Sequence, residues 1–186
     1  MAQEAFDVVV LGAGTGGYSA ALRAAQLGKR VAIVERDSRL GGTCLLRGCI
    51  PSKALLQSAA VMDEINRAET WGIKASGEPQ WDAVLEFKAR VVDKLVKGVT
   101  GLIKARKIEV VRGTGRLAGP GTIEVEGDGG ARRLQATDVV IATGSAPRLL
   151  PGLDITERII TSDQALELDR IPGSAVIIGA GAVGLE

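Results

Sequence analysis

Residues Asp7 to Gly17 read DVVVLGAGTGG. The unbroken apolar run predicts a strand over Asp7–Leu11 that is buried on both faces, as in a parallel sheet. Gly12, Gly14 and Gly17 follow directly in the pattern G-x-G-x-x-G. Beyond them Tyr18, Ala21, Leu22 and Ala25 recur at helical spacing, which predicts a helix over Tyr18–Leu27 that Gly28 ends. A second apolar run, Arg30–Glu35 (RVAIVE), completes a strand, loop, helix and strand unit, and Glu35 at its end stands 21 residues after Gly14. Glycines at these positions permit a tight turn and close approach to a pyrophosphate, whose charge the free N–H groups of a helix N-terminus stabilise. An acid at that distance is placed to bind the two ribose hydroxyls of an adenosine. A mere Gly-rich turn beside a solvated Glu35 is the alternative, and the four features together favour dinucleotide binding.

The remainder of the chain extends this unit. Asp138–Ala142 (DVVIA) predicts another buried parallel strand, ending in Thr143-Gly144-Ser145. Ile108–Arg112, Thr122–Glu126 and Arg132–Gln135 read as three short strands of an antiparallel flap, the last two joined by the turn Gly127-Asp128-Gly129-Gly130. Ser52–Ala68 is expected to be a helix burying Leu55, Leu56, Ala59 and Ile65, with an Asp63/Arg67 pair outside. Trp81 to about Lys107 predicts a long amphipathic helix whose Gly98 and Gly101 suggest close packing or a bend. Ala146–Gly152, with two prolines, reads as a crossing between domains at 1–148 and 149–186. In the second, Ile159–Thr161 and Asp163–Leu168 suggest a short strand and helix. Ser174–Glu186 (SAVIIGAGAVGLE) then repeats the opening idea: a buried strand and glycines at Gly179, Gly181 and Gly184.

At 186 residues, 46% hydrophobic and +1 in net charge, the chain can bury a core and has no electrostatic bias toward nucleic acid. Its N-terminus lacks a basic region followed by an apolar one, and no run of eighteen apolar residues exists. The expectation is a cytoplasmic protein with no nucleic-acid and no membrane partner. Both cysteines, Cys44 and Cys49, lie in Gly41–Lys53 (GGTCLLRGCIPSK), and the chain has no histidine, so a closed zinc site is excluded. In a regular helix two residues five apart are separated by roughly 7.5 Å of rise and about 140° of rotation, beyond ordinary disulfide reach. Gly48 and Pro51 predict an irregular turn there, with regular helix resuming at Ser52. Alone, the pair leaves a small structural disulfide, two thiols and a catalytic dithiol all open.

Joined to the dinucleotide unit, the cysteine segment resembles the redox signature of the pyridine nucleotide-disulfide oxidoreductases, with Leu46 where that family usually has Asn. Within the family the CIPSKALL form is most similar to the dihydrolipoamide dehydrogenase branch. The resemblance implies an α/β, Rossmann-like FAD/NAD(P)-binding fold with a parallel sheet and a small antiparallel β flap. It implies that this chain is the N-terminal part of a flavoprotein that oxidises a dihydrolipoyl dithiol through a Cys44/Cys49 disulfide and FAD to reduce NAD. Cofactor-binding residues are then Gly12, Gly14, Gly17, Glu35, Arg36, Gly42, Thr43, Cys44, Lys53, Gly115, Thr143, Gly144, Ser145, Gly179, Gly181, Gly184 and Glu186. Lys53 is an ordinary surface charge or, by resemblance, a cation near the flavin ring; Gly115 serves a turn or, by resemblance, offers FAD a main-chain contact. The same resemblance implies a homodimer at full length, a lipoyl domain of a 2-oxoacid dehydrogenase or glycine-cleavage complex as partner, and a histidine base from the C-terminal domain of the other subunit. Two other readings stay open: an FAD-binding module without turnover, and a glutathione- or mercuric-reductase-like enzyme.

Overall fold

All five residues of the strand Val31–Glu35 (β2) are buried, which requires cover on both faces of the sheet. A computed structural model describes residues 4–127 and 129–186 and supplies that cover. The elements preceding and following β2 are β1 (Glu4–Leu11), α1 (Thr15–Gln26), α2 (Gly42–Arg47), α3 (Cys49–Arg67), a 3-10 turn (Ala68–Trp71) and α4 (Trp81–Ala105). Then come β3 (Glu109–Arg112), β4 (Thr114–Gly119), β5 (Thr122–Gly127), β6 (Gly130–Ile141) and two one-turn helices, α5 (Ser162–Ala165) and α6 (Ala182–Leu185). The chain divides into two compact units: one runs to Leu45 and from Lys94 to Ser145, the other comprises Leu46–Asp93 and Ala146–Glu186.

The first unit is a six-stranded sheet in the order β3-β2-β1-β6-β5-β4. β1, β2 and β3 are parallel neighbours, and β6 joins β1 in parallel with Val8 opposite Asp138 and Leu11 opposite Ile141. Side chains alternate between two cores, as the two-residue strand period demands. Val10, Val31 and Ile33 face Ala21 of α1 and Ile103 of α4. Val9, Leu11, Ala32 and Val34 face Ile123 and Val125 of β5 and Leu134 of β6. Helices thus cover one face and the antiparallel strands the other.

β6 links these layers because its two ends have different partners. Its first half pairs antiparallel with β5, from Gly127 opposite Gly130 to Thr122 opposite Gln135, and its second half pairs parallel with β1. The strands expected at Arg132–Gln135 and Asp138–Ala142 are one element. Ile108–Arg112, expected in the flap, instead forms the edge of the parallel sheet, and the flap gains β4, a glycine-rich strand without apolar alternation. Asp128 of the expected turn lies outside the described residues. Arg132 of β6 donates to Glu4 of β1 at 2.6 Å and to Glu109 of β3 at 2.7 Å. The Glu109 carboxylate, and then that of Glu4, hold the Arg132 guanidinium pKa above its ordinary value. All three side chains are partly solvated, so the pair energies are of order 0–1 kcal/mol.

In the second unit α3 begins at Cys49, not at the expected Ser52. Pro51 occupies its first turn, where a missing N–H costs no helical bond, and Ser52 N–H makes the bond to Gly48 O at 3.0 Å. The buried line of α3 starts with Pro51 and Ala54 and continues through half-buried Leu55, Ser58, Met62 and Ile65. Leu56 and Ala59, expected inside, are about 100° off this line and exposed. The Asp63/Arg67 pair forms at 3.3 Å. α4 matches its expected extent, although Leu95 and Leu102 of its apolar stripe are exposed, and a Cβ on Gly98 or Gly101 would meet nothing within 4 Å. Those glycines mark neither close packing nor an interruption of the helix. Trp81 Nε1 donates to Leu168 O at 2.9 Å, and Lys88, which is buried, donates to Leu166 O and pairs with Glu167 at 3.0 Å. No strand forms at Ile159–Thr161 or across Val176–Ile178; the latter three residues are 92%, 68% and 71% exposed. A strand needs a ladder of backbone partners; Ile159 O accepts a turn hydrogen bond from Thr156 N–H at 2.9 Å, and neither segment joins a ladder among the described residues. No helix among the described residues is long and apolar enough to cross a membrane.

Leu134 is completely buried between the two sheet layers. Leu134→Ala is expected to cost about 2–5 kcal/mol, the cost of a core leucine truncation that leaves a cavity. Urea denaturation followed by circular dichroism checks this as a lower midpoint at unchanged slope.

Candidate functional site

The residues singled out in the first glycine loop converge at the C-terminal ends of β1 and β2. Gly12 N–H donates to Val34 O at 2.8 Å and so ties the loop to the end of β2. A Cβ on Gly17 would lie 1.9 Å from Gly12 O, and one on Gly12, whose φ is +97°, would lie 2.3 Å from Ala142 O and 3.2 Å from Thr143 Cα. These crossings exclude any side chain and bring the loop after β6 against the loop after β1. Gly14 is the N-cap of α1 and has no side-chain hydrogen bond to the helix, while Thr15 and Gly16 beside it are exposed. The first-turn N–H groups of α1 therefore lack a side-chain cap.

Glu35 reaches this loop directly. It is 7% exposed; Oε2 accepts the Ala13 N–H at 2.7 Å and Oε1 accepts the Asp37 N–H at 2.8 Å. Each oxygen retains a second lone pair. Around it, Gly113 N–H donates to Glu35 O at 3.0 Å and Arg112 Nη1 to Asp37 O at 2.5 Å. Arg36 is exposed. Gly115, expected in a turn, lies within β4, where a Cβ would come 2.8 Å from Leu11 Cδ2 and 3.1 Å from Val34 Cγ1. Its lack of a side chain is required by packing over the ends of β1 and β2.

The cysteine segment enters the same cluster through its glycines. Gly41 N–H donates to Ala13 O at 2.9 Å, and a Cβ on Gly42, at φ +62°, would stand 2.5 Å from Gly14 Cα. Gly42 opens α2, followed by exposed Thr43 and half-buried Cys44. At Gly48, φ −150° and ψ −117°, the helical path breaks before α3 starts at Cys49. A continuous helix would turn the two cysteines about 140° apart, and this break interrupts it. Cys49 is exposed in the first turn of α3, and Lys53 follows one turn later.

Lys53 pairs with Glu186, so two nominated residues meet in the second unit. The second glycine loop reproduces the first: Gly179 has φ +116°, Gly181 is the N-cap of α6, and a Cβ on Gly184 would lie 2.1 Å from Gly179 O. Gly144, at φ +77°, and Ser145 are exposed. Ala13, Gly41, Asp37 and Arg112 are the members of the cluster that sequence reasoning missed. Three of the four act through main-chain atoms, for which side-chain identity carries no signal.

Residues 6–186 match the family model described as pyridine nucleotide-disulphide oxidoreductase. Among curated relatives, the chain is 48% identical to the dihydrolipoyl dehydrogenase of Bacillus subtilis, over 97% of this chain and 40% of the relative. It is 46% identical to dihydrolipoyl dehydrogenase 3 of Pseudomonas aeruginosa, over 98% and 40%, and 43% identical to the mitochondrial dihydrolipoyl dehydrogenase of Dictyostelium discoideum, over 97% and 38%. The chain spans about two fifths of the length of these relatives. With its glycine loop, its acid and two cysteines five residues apart in one stretch of sequence that the family model covers throughout, the chain belongs to the pyridine nucleotide-disulphide oxidoreductase family.

Proposed function

We propose that this chain is the FAD-binding, dithiol-bearing part of a flavoprotein disulfide oxidoreductase of the dihydrolipoyl dehydrogenase type. The observation that carries the reading is the joining of Gly12–Gly14, Glu35 and Gly41–Gly42 into one hydrogen-bonded cluster, two residues before Cys44. Relatives of that name, 43–48% identical over nearly the whole chain, support the choice of branch. Family membership implies use of FAD and a nicotinamide nucleotide.

The residues fit the ADP half of FAD. Gly12, Gly14 and Gly17 leave the backbone open to a pyrophosphate, the uncapped first turn of α1 supplies N–H donors, and the spare lone pairs of Glu35 accept ribose hydroxyls. Arg36, Gly42, Thr43, Cys44, Gly115, Thr143, Gly144 and Ser145 complete the proposed FAD residues. Lys53 with Glu186 is assigned to the flavin side, and Gly179, Gly181 and Gly184 to NAD. FAD, when bound, supplies the two-electron carrier between the protein dithiol and the nicotinamide.

The chain's own chemistry is thiol-disulfide exchange. A thiolate of the dihydrolipoyl substrate attacks the Cys44–Cys49 disulfide at Cys44, forming a mixed disulfide and releasing the Cys49 thiolate. The second substrate thiol then displaces Cys44, so the substrate leaves as a disulfide and the protein holds two reduced sulfurs and the electron pair. Cys49 stands in the first turn of α3, with Lys53 one turn later. Each cycle also moves protons, and that calls for a base titrating near neutral pH; this chain has no histidine. The missing base favours, for the 186 residues alone, the second reading of an FAD-binding module without turnover. In the whole protein we infer a homodimer in the cytoplasm, working on a lipoyl domain of a 2-oxoacid dehydrogenase or glycine-cleavage complex. The proposed domain boundary remains 148/149.

Two outcomes are expected. The pure 186-residue chain retains stoichiometric FAD but forms no NADH from dihydrolipoamide and NAD; steady-state absorbance at the NADH band checks this, and sustained turnover sinks the assignment of a missing base. In thiol titrations, the oxidised chain shows no reactive thiol and the chain treated with dihydrolipoamide shows two. Cys44→Ser and Cys49→Ser each show one under both conditions, and two thiols in the untreated, air-oxidised chain would remove the disulfide from the mechanism.

A further inference from the structure

The Glu35 carboxylate is occupied before any nucleotide is considered. Its two oxygens accept the N–H groups of Ala13 and Asp37 at 2.7 and 2.8 Å, inside a setting where only 7% of the residue is exposed. Ala13 is the fully buried residue between Gly12 and Gly14, and its carbonyl accepts the Gly41 N–H at 2.9 Å. One residue is therefore held on both sides, by β2's terminal acid through Ala13 N–H and by the start of the cysteine segment through Ala13 O. We propose that Glu35 is a positioning residue: through the main chain of Ala13 it fixes the glycine loop and the entry into α2 in their binding arrangement, independently of any contact with a ribose.

The physical basis is the cost of the alternative. A buried Ala13 N–H with no acceptor loses its solvation without recompense, so the loop without Glu35 must rotate the Gly12–Ala13 peptide toward water. That rotation changes the backbone torsions at Ala13, so the adjoining Ala13–Gly14 peptide shifts with it, drawing Ala13 O from Gly41 N–H and Gly14 Cα from Gly42. Hydrogen bonds from N–H groups to a carboxylate are about twice as strong as neutral ones, which makes an acid here better than an amide for holding the loop.

This inference deepens the ADP-binding reading, and its loop-holding part is testable without nucleotide. In the ligand-free 186-residue chain, amide hydrogen exchange is measured for wild type, Glu35→Gln and Glu35→Ala. The Ala13 and Gly41 amides are expected to exchange at least about tenfold faster in Glu35→Ala while those of Val9 and Val10 in β1 keep their protection, with Glu35→Gln intermediate because its amide oxygen accepts one N–H. Glu35→Gln also serves where Glu35→Ala does not fold. Binding is then measured with ADP and with 2′,3′-dideoxy-ADP, which has no ribose hydroxyls. A carboxylate that acts on the ribose alone is silent toward the dideoxy compound, and its removal favours the phosphates electrostatically. Positioning predicts the opposite: a dideoxy-ADP affinity lower by about fivefold or more in Glu35→Ala, with partial rescue in Glu35→Gln. Unchanged exchange at Ala13 and Gly41, or unchanged dideoxy-ADP affinity in a folded Glu35→Ala protein, overturns the proposal. Failure of wild type to bind either nucleotide would defeat the ADP reading instead, leaving the exchange data to decide the role of Glu35.

Discussion

Helix α1 can leave strand β1 where it does only because Gly17 has no side chain. Its Cα lies so close to the Gly12 carbonyl that an added carbon would overlap the oxygen at 1.9 Å, and Gly12 itself is pressed on Ala142 O. Gly42 stands against Gly14 in the same way. Four backbone segments thus cross at one place with no side chains between them: the end of β1, the start of α1, the residues after β6 and the start of α2. Interiors at crystal-like density do not yield to an extra methyl at such crossings. The consequence is that main chain, not side chains, meets at this crossing, an arrangement that suits the diphosphate proposed for it.

A backbone crossing of this kind leaves polar groups to be satisfied, and Glu35 is the solution on the β2 side. Lys88 solves the corresponding problem in the second unit, where its ammonium is buried against Leu166 O and the Glu167 carboxylate. Both groups are withdrawn from water, and both are held there by hydrogen bonds or an ion pair. They differ in what the sequence discloses. Glu35 ends an apolar strand at a fixed distance from a glycine loop, a pattern with a mechanism attached. Lys88, seven residues after Trp81, falls on the apolar stripe of its helix among Val84, Leu85 and Val92, unlike Lys94, Lys97 and Lys104 on the other side; the period thus marks it as covered but does not name what it meets.

The legibility of the other elements follows from the range of the interactions that make them. β1, α1 and β2 were readable because a buried parallel strand, a glycine loop and an amphipathic helix each announce themselves within ten residues. The helix of Trp81–Ala105 was readable from its period, yet exposure of Leu95 and Leu102 was not, since periodicity identifies a stripe and says nothing of what covers each part. Strand partners were the weakest inference. Glu109–Arg112 is as apolar as a flap strand would be, and its parallel pairing with β2 depends on where α4 delivers the chain. β4, with sequence TGRLAG, has neither alternation nor β-branched runs and exists because β5 beside it presents an edge. At the candidate site, the glycines and Glu35 were visible, whereas the main chain of Ala13 that connects them was not.

The two glycine loops separate these ranges within one molecule. Around Gly179–Gly184 the backbone takes the positive φ, the extended N-cap and the close glycine-to-carbonyl approach seen at Gly12–Gly17, with Gly181 at φ −76° and ψ 175° against −70° and −177° for Gly14. The apolar run before the second loop, Val176-Ile177-Ile178, is as rich in β-branched residues as Val8-Val9-Val10, yet it is exposed and makes no strand. Loop conformation is therefore determined within six residues, by sterics that glycine alone satisfies. Strand formation is determined by neighbours, because a strand's N–H and C=O groups are satisfied only across a ladder. β1 has β2 and β6 on its two sides, both contributed by chain that follows it, whereas the second run has no such neighbours among the described residues. The shape of a glycine loop of this type thus does not depend on a sheet, whereas the direction in which the first loop points is fixed by β1 and its neighbours.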